Sequence, residues 1–161
     1  MVAHVSVLPK FLDFETIFAF LDSQHDASRV ARGRHEDAIT ELQKAVALSG
    51  RSPWLLSTLG SLYGRIGKTS EAREVLAELI DRSKSEYVQA FYFAYVYIAL
   101  GELDEALAWL EKSFEARDLY LIVPTMTWDP FFEDDMKEPR LRAFFVNRGV
   151  TAPHAERRLS M

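Results

Sequence analysis

Between Pro53 and Arg117 apolar residues recur at spacings of three and four, interrupted at Gly67 and Gly101. Such spacing places them on one face of a helix, so the stretch predicts helices near 53–66, 69–82, 86–100 and 103–116. Upstream, Phe11, Phe14, Ile17, Phe18 and Leu21 predict a helix that caps the open end of the array or stands in for a missing half-unit. Residues 22–26 are polar and read as a break. Helix resumes at Ala27 to Arg32, turns at Gly33, and runs again over 35–48. Ser49-Gly50-Arg51-Ser52-Pro53 is the clearest turn, with Ser52 placed to cap and Pro53 at the first helical position. Downstream, Leu119-Tyr120-Leu121-Ile122-Val123 reads as a short helix or apolar linker, because a lone strand would have no partner. Glu133-Asp134-Asp135 reads as a solvated loop or helix end without calcium-ligand spacing. Pro139 opens a last helix with Leu141, Phe144 and Phe145 inward and Gly149 at its end, and the tail from Thr151 is loose.

The helical pattern repeats. Leu59-Gly60-Ser61-Leu62-Tyr63, Gly67, Ala72 and Leu76 return 34 residues later as Phe93-Ala94-Tyr95-Val96-Tyr97, Gly101, Ala106 and Leu110. One period upstream lie Gly33, Ala38 and Leu42. The acids Asp37, Glu71 and Glu105 recur before each alanine, and a bulky apolar residue recurs eight beyond it, as Val46, Ile80 and Phe114. Each recurrence has a cause. Glycine adopts a left-handed helix end cheaply. A small alanine lets two helices approach, where a larger side chain would overpack by roughly 1–3 kcal/mol. The leucines four residues on fill the space between hairpins, and acids suit the positive end of a helix dipole.

These residues resemble the tetratricopeptide repeat, a 34-residue helix–turn–helix unit with the pattern W-x2-L-G-x2-Y, A-x3-F and P. Leu56, Leu59, Gly60, Tyr63, Ala72 and Leu76 fill the places of one unit, and Ala90, Phe93, Ala94, Tyr97, Ala106 and Leu110 those of the next. Lys84 and Asp118 stand where the closing proline belongs, and the earliest unit keeps only its second half. The resemblance implies an all-α fold, a right-handed stack of antiparallel helix pairs (a TPR-like α-solenoid) with helical caps at both ends. Residues 1–161 then form a single domain. It has an N-terminal cap and degenerate first repeat over 11–50, repeats over 53–86 and 87–118, a capping segment over 119–150, and a tail over 151–161. Asp129-Pro130-Phe131-Phe132, Pro139-Arg140-Leu141, Phe144-Phe145 and Gly149-Val150 are similar to the closing segment of repeat arrays in bacterial multidomain regulators. That likeness implies a terminal cap, which a stacked array needs to cover its last apolar face.

Composition alters the picture by exclusion. A net charge of −5 disfavours a dedicated nucleic-acid binder, which neutralises phosphates with basic residues. Without cysteine there are no disulfides and no thiolate chemistry. The first ten residues lack the layout of a signal peptide, and no run reaches the ~20 apolar residues of a membrane span. A cytoplasmic protein is expected. His4, His25, His35 and His154 share no ligand spacing, so neither metal nor cofactor is expected. Gly60-Ser61-Leu62-Tyr63-Gly64 is not a nucleophile elbow, and no phosphate cradle occurs. The chain reads as non-enzymatic.

In the resembled family the first helix of each hairpin lines an inner, concave face, and helical geometry places Trp54, Ser57, Ser61 and Arg65 there, followed by Val88, Phe91, Tyr95 and Ile98. Phe91 and Tyr95 lie one turn apart and suggest an aromatic wall for a peptide with an apolar anchor and an acidic group. The same aromatics could instead pack internally, and the sequence leaves both readings open. The lysine–asparagine clamp of chaperone-binding members is not carried over, since only Arg65 among the matching places could hold a carboxylate. The expected function is a protein-interaction scaffold for a protein or peptide partner. The alternative is a ligand-sensing or regulatory module for a catalytic or DNA-binding partner encoded separately or once fused upstream. Self-association stays open and is not predicted.

Overall fold

A computed structural model of the chain describes residues 29–118 and 132–149. Among these residues the secondary structure is entirely helical: α1 (Arg29–Leu48), α2 (Pro53–Arg65), α3 (Thr69–Arg82), α4 (Ala90–Leu100), α5 (Leu103–Ala116), the single turn α6 (Phe132–Asp135) and α7 (Pro139–Asn147). The expected helix over 11–21, the polar break over 22–26, the apolar run 119–123 and the tail lie outside the described residues.

The helices form two layers. α2 and α4 pack directly on each other and make one layer, while α1, α3 and α5 pack against them; α7 packs on α5. Consecutive helices are therefore antiparallel neighbours, and one continuous core runs between the layers. The repeated alanines Ala38, Ala72 and Ala106 are fully buried, and Leu42, Leu76 and Leu110 are nearly so. Gly60 and Gly64 set the α2–α4 spacing. A β-carbon on Gly64 would stand 3.0 Å from the backbone carbonyl carbon of Ala99. Phe93 stacks on Trp109 with centroids 4.2 Å apart, joining α4 to α5.

Four helices end in the same way. At Gly50, Gly67, Gly101 and Arg117 the chain turns left-handed, and the next residue's N–H reaches back five positions to the helix carbonyl. Lys68 thus donates to Tyr63 at 2.8 Å and Glu102 to Tyr97 at 3.0 Å. Orphaned carbonyls are satisfied while the chain reverses, which is how each hairpin is made.

Gly33 departs from the expectation of a turn, because α1 runs through it without a break. Glycine in a helix interior costs about 1 kcal/mol relative to alanine, less than is lost by breaking a helix with no signature-bearing partner to fold back on. The residues eight beyond each alanine also separate. Val46 is buried, but Ile80 and Phe114 are 44% and 39% exposed. The recurring buried position is seven beyond: Ala45, Leu79 and Ser113. α4 begins four residues later than predicted, after an extended link that contains Val88. Ser52 is the N-cap residue of α2 but makes no side-chain cap; its own N–H instead donates to Ser49 Oγ. Pro139 opens α7, with Leu141, Phe144 and Phe145 buried and Gly149 left-handed just beyond its end.

Candidate functional site

On α2 the residues 54, 57, 61 and 65 follow one another at three- and four-residue steps, so they share a face. Ser57 and Ser61 are each 1% exposed, and Ser57 turns its hydroxyl onto the carbonyl of Trp54. Neither hydroxyl is presented outward. Trp54 is 36% exposed at the start of the helix, and Arg65 stands at the other end. On α4, Phe91 is buried while Tyr95 and Ile98 are partly exposed. The Phe91 and Tyr95 rings stack at 5.9 Å between centroids. Val88, buried at the edge of the extended link, is not on the helix at all.

Ser61, Arg65, Phe91 and Tyr95 are brought into one cluster; Trp54 is at the opposite end of α2. The Arg65 guanidinium lies 6.0 Å from the centre of the Tyr95 ring, and its Nε is 3.4 Å from Ser61 Oγ. Its two terminal nitrogens donate to both carboxylate oxygens of Asp135, at 3.0 and 2.7 Å. Parallel two-point bonding of this kind is the strongest geometry a guanidinium makes with a carboxylate. Asp135 closes α6, so the acidic stretch read as solvated is in part enclosed: the Asp135 side chain is only 13% exposed. Its neighbour Met136 packs on the core. No local signal reveals Asp135, because its partner is 70 residues away.

A second carboxylate was equally hidden. Asp118, in the place of the family's closing proline, is buried and accepts from the Phe91 N–H at 3.3 Å and from the Tyr87 hydroxyl at 2.7 Å. It caps α4 from the far end of α5 and neutralises an orphan donor of the first turn. The hydrogen bond to that carboxylate, then burial, pushes the Tyr87 phenol above its ordinary value.

No helix among the described residues is long and apolar enough to cross a membrane. No three His, Cys, Asp or Glu side chains among them converge as a metal site.

Two family models, each described as tetratricopeptide repeat, match the chain over residues 29–92 and 94–112. Their match, the period and the stacked hairpins coincide. The chain belongs to the tetratricopeptide-repeat family. No curated protein and no solved structure matches it. Tetratricopeptide repeats generally mediate protein–protein interaction and are typically non-catalytic. In this tetratricopeptide-repeat protein, the first match begins where α1 begins and so includes the half-unit that lacks a first-helix pattern. Both matches end before the closing segment.

Proposed function

We propose that this chain is a non-enzymatic scaffold that binds a peptide or a partner's segment along the inner layer formed by α2 and α4. The observation that carries the reading is the Tyr95–Arg65 junction. There an aromatic ring and a guanidinium share one spot on the inner helices, and Tyr95 and Ile98 keep part of their surface open. An aromatic with an adjacent arginine is the composition of interface hot spots. Ser57, Ser61, Val88 and Phe91 are buried, and Trp54 is partly exposed at the start of α2.

The test is a display of random peptides selected on the full chain, with the recovered binders then measured against Tyr95→Ala and Ile98→Ala. Loss of a central contact weakens binding by about 1–2 kcal/mol, or roughly five- to thirtyfold. Equal affinity for wild type and both variants, with melting temperatures unchanged, would overturn the assignment to this face.

A further inference from the structure

Arg65–Asp135 stands apart from the other ion pairs among the described residues. Its side chains are 12% and 13% exposed, whereas none of the others includes a side chain below 26%. Enclosing two charges is a poor way to gain stability, since desolvation offsets most of the attraction and an apolar pair of like volume often does better. Exchanging one carboxylate for another is a different matter. The guanidinium stays paired at two points throughout, and the departing carboxylate is rehydrated. Closure by an ion pair is therefore exchangeable, where closure by an apolar plug would have to expose its surface.

The element that delivers Asp135 is suited to such exchange. α6 is a single turn of four residues. Past it, the Lys137 and Glu138 N–H groups donate to the carbonyls of Asp134 and Asp135 at 3.0 and 3.1 Å. A unit this short lacks the length to hold itself together without its contacts. The rest of the cap is anchored separately, by Leu141, Phe144 and Phe145 in the core and by Arg140 on Asp104. Release of α6 need not dislodge α7.

We propose that Asp135 is a built-in competitor. It holds the carboxylate position at Arg65 and Tyr95 in the free protein, and an acidic partner segment takes its place and frees α6. This rests on the scaffold reading above and names its ligand class. The chain's own turn is the template: an aspartate at Arg65 followed by an apolar residue, as Met136 follows Asp135 and packs on the core. A basic or purely apolar segment would not replace the two-point bond that Asp135 makes to Arg65 and is disfavoured.

The probe is a fluorescent peptide with the sequence of residues 129–138, titrated into the full chain and followed by anisotropy. Removing the competitor by Asp135→Ala raises affinity for this peptide by about tenfold or more, because the competent state is no longer a minor one. A peptide with Asn in place of Asp135 shows no such gain, and Arg65→Met added to Asp135→Ala abolishes it. Equal binding by wild type and a folded Asp135→Ala variant, or a gain that survives Arg65→Met, would sink the proposal. Should Asp135→Ala fail to fold, wild type decides: saturating peptide speeds hydrogen exchange at the Lys137 and Glu138 amides and leaves α3 unchanged. Unaltered exchange at those amides overturns the idea. The two readings fail separately. A null result with this self-peptide leaves selection on Tyr95 and Ile98 standing, and indifference of selected peptides to those two residues does not bear on exchange at Arg65.

Discussion

Gly64 and Arg117 show opposite relations between a residue and its backbone. Gly64 is required for space: the atoms nearest an added β-carbon are the backbone carbonyl carbon and oxygen and the β-carbon of Ala99 in α4, at 3.0 to 3.1 Å. A backbone cannot rotate away as a side-chain tip can. Gly64→Ala is expected to destabilise by roughly 1–3 kcal/mol despite alanine's better helix propensity, as measured by urea denaturation. A gain in stability would mean that α2 and α4 are not in close contact. Arg117 is the converse, a side chain at φ 56° where the other three turns of this kind have glycine. Left-handed backbone costs a non-glycine residue about 1 kcal/mol or more, so Arg117→Gly is expected to stabilise by about 1 kcal/mol, less what glycine loses in the unfolded chain. Arg51, also at positive φ, is not equivalent, because its guanidinium is bonded to both carboxylate oxygens of Glu78. Gly60 was legible in the sequence as the small position of the repeat pattern. What it and Gly64 face was not, since it lies on other helices.

At the scale of elements, the two glycine-ended hairpins were readable because their signals are local. A glycine, the residue after it and a carbonyl five positions back complete each turn without help from elsewhere. Gly33 carries the same signal and fails, since a turn is kept only when the helix before it has a face to bury. The 34-residue period found the alanines and leucines but gave the wrong neighbour for the third buried position. Ile80 and Phe114 are larger and more apolar than Ser113, yet on α5 it is Ser113 rather than Phe114 that is fully buried. The start of α4 was misplaced for a related reason. Its cap is Asp118, which follows α5 and comes near only once the hairpin has closed. That contact has a pH signature. Tyr87 is raised above its unfolded value, foremost by its hydrogen bond to Asp118. Its contribution to stability is therefore complete below the unfolded value near 10 and is lost as pH rises through the higher folded value. Tyr87 is 74% exposed, so solvent screening keeps the effect small. Tyr87→Phe is expected to lower the melting temperature slightly below about pH 10 and to converge with wild type above it, flattening the alkaline decline. An unaltered alkaline limb would show that the hydroxyl contributes nothing.

For the molecule as a whole, the alternation of helix directions gathers exposed apolar side chains at one of its two edges, while ion pairs occur at both. Leu48, Trp54, Ile80, Tyr87 and Phe114 are exposed where outer helices end and inner ones begin. The glycine turns at the other edge are held by charge, with Arg73 on Glu102, Arg140 on Asp104 and Arg65 on Asp135. The closing helix joins the array at this level too, through Leu141, Phe144 and Phe145 and through Arg148, which bonds Glu111 and lies over the Phe144 ring. In a linear stack each unit touches only its neighbours, so damage at one end need not reach the other. Leu141 is 1% exposed, and Leu141→Ala removes buried methyl groups at about 2–4 kcal/mol. If stability is shared only between neighbours, hydrogen exchange in the variant quickens in α7 and α5, while α2 and α3 keep most of their protection. If one core holds all the helices together, protection falls by the same amount in every helix. The continuity of apolar contacts from Ala38 through Phe93 to Phe145 favours strong coupling. The α5–α7 junction is nevertheless slighter than those joining α2 to α4 and α4 to α5. Graded loss from α7 inward is therefore the expected outcome, and uniform loss would mean that the cap is an integral part of the fold.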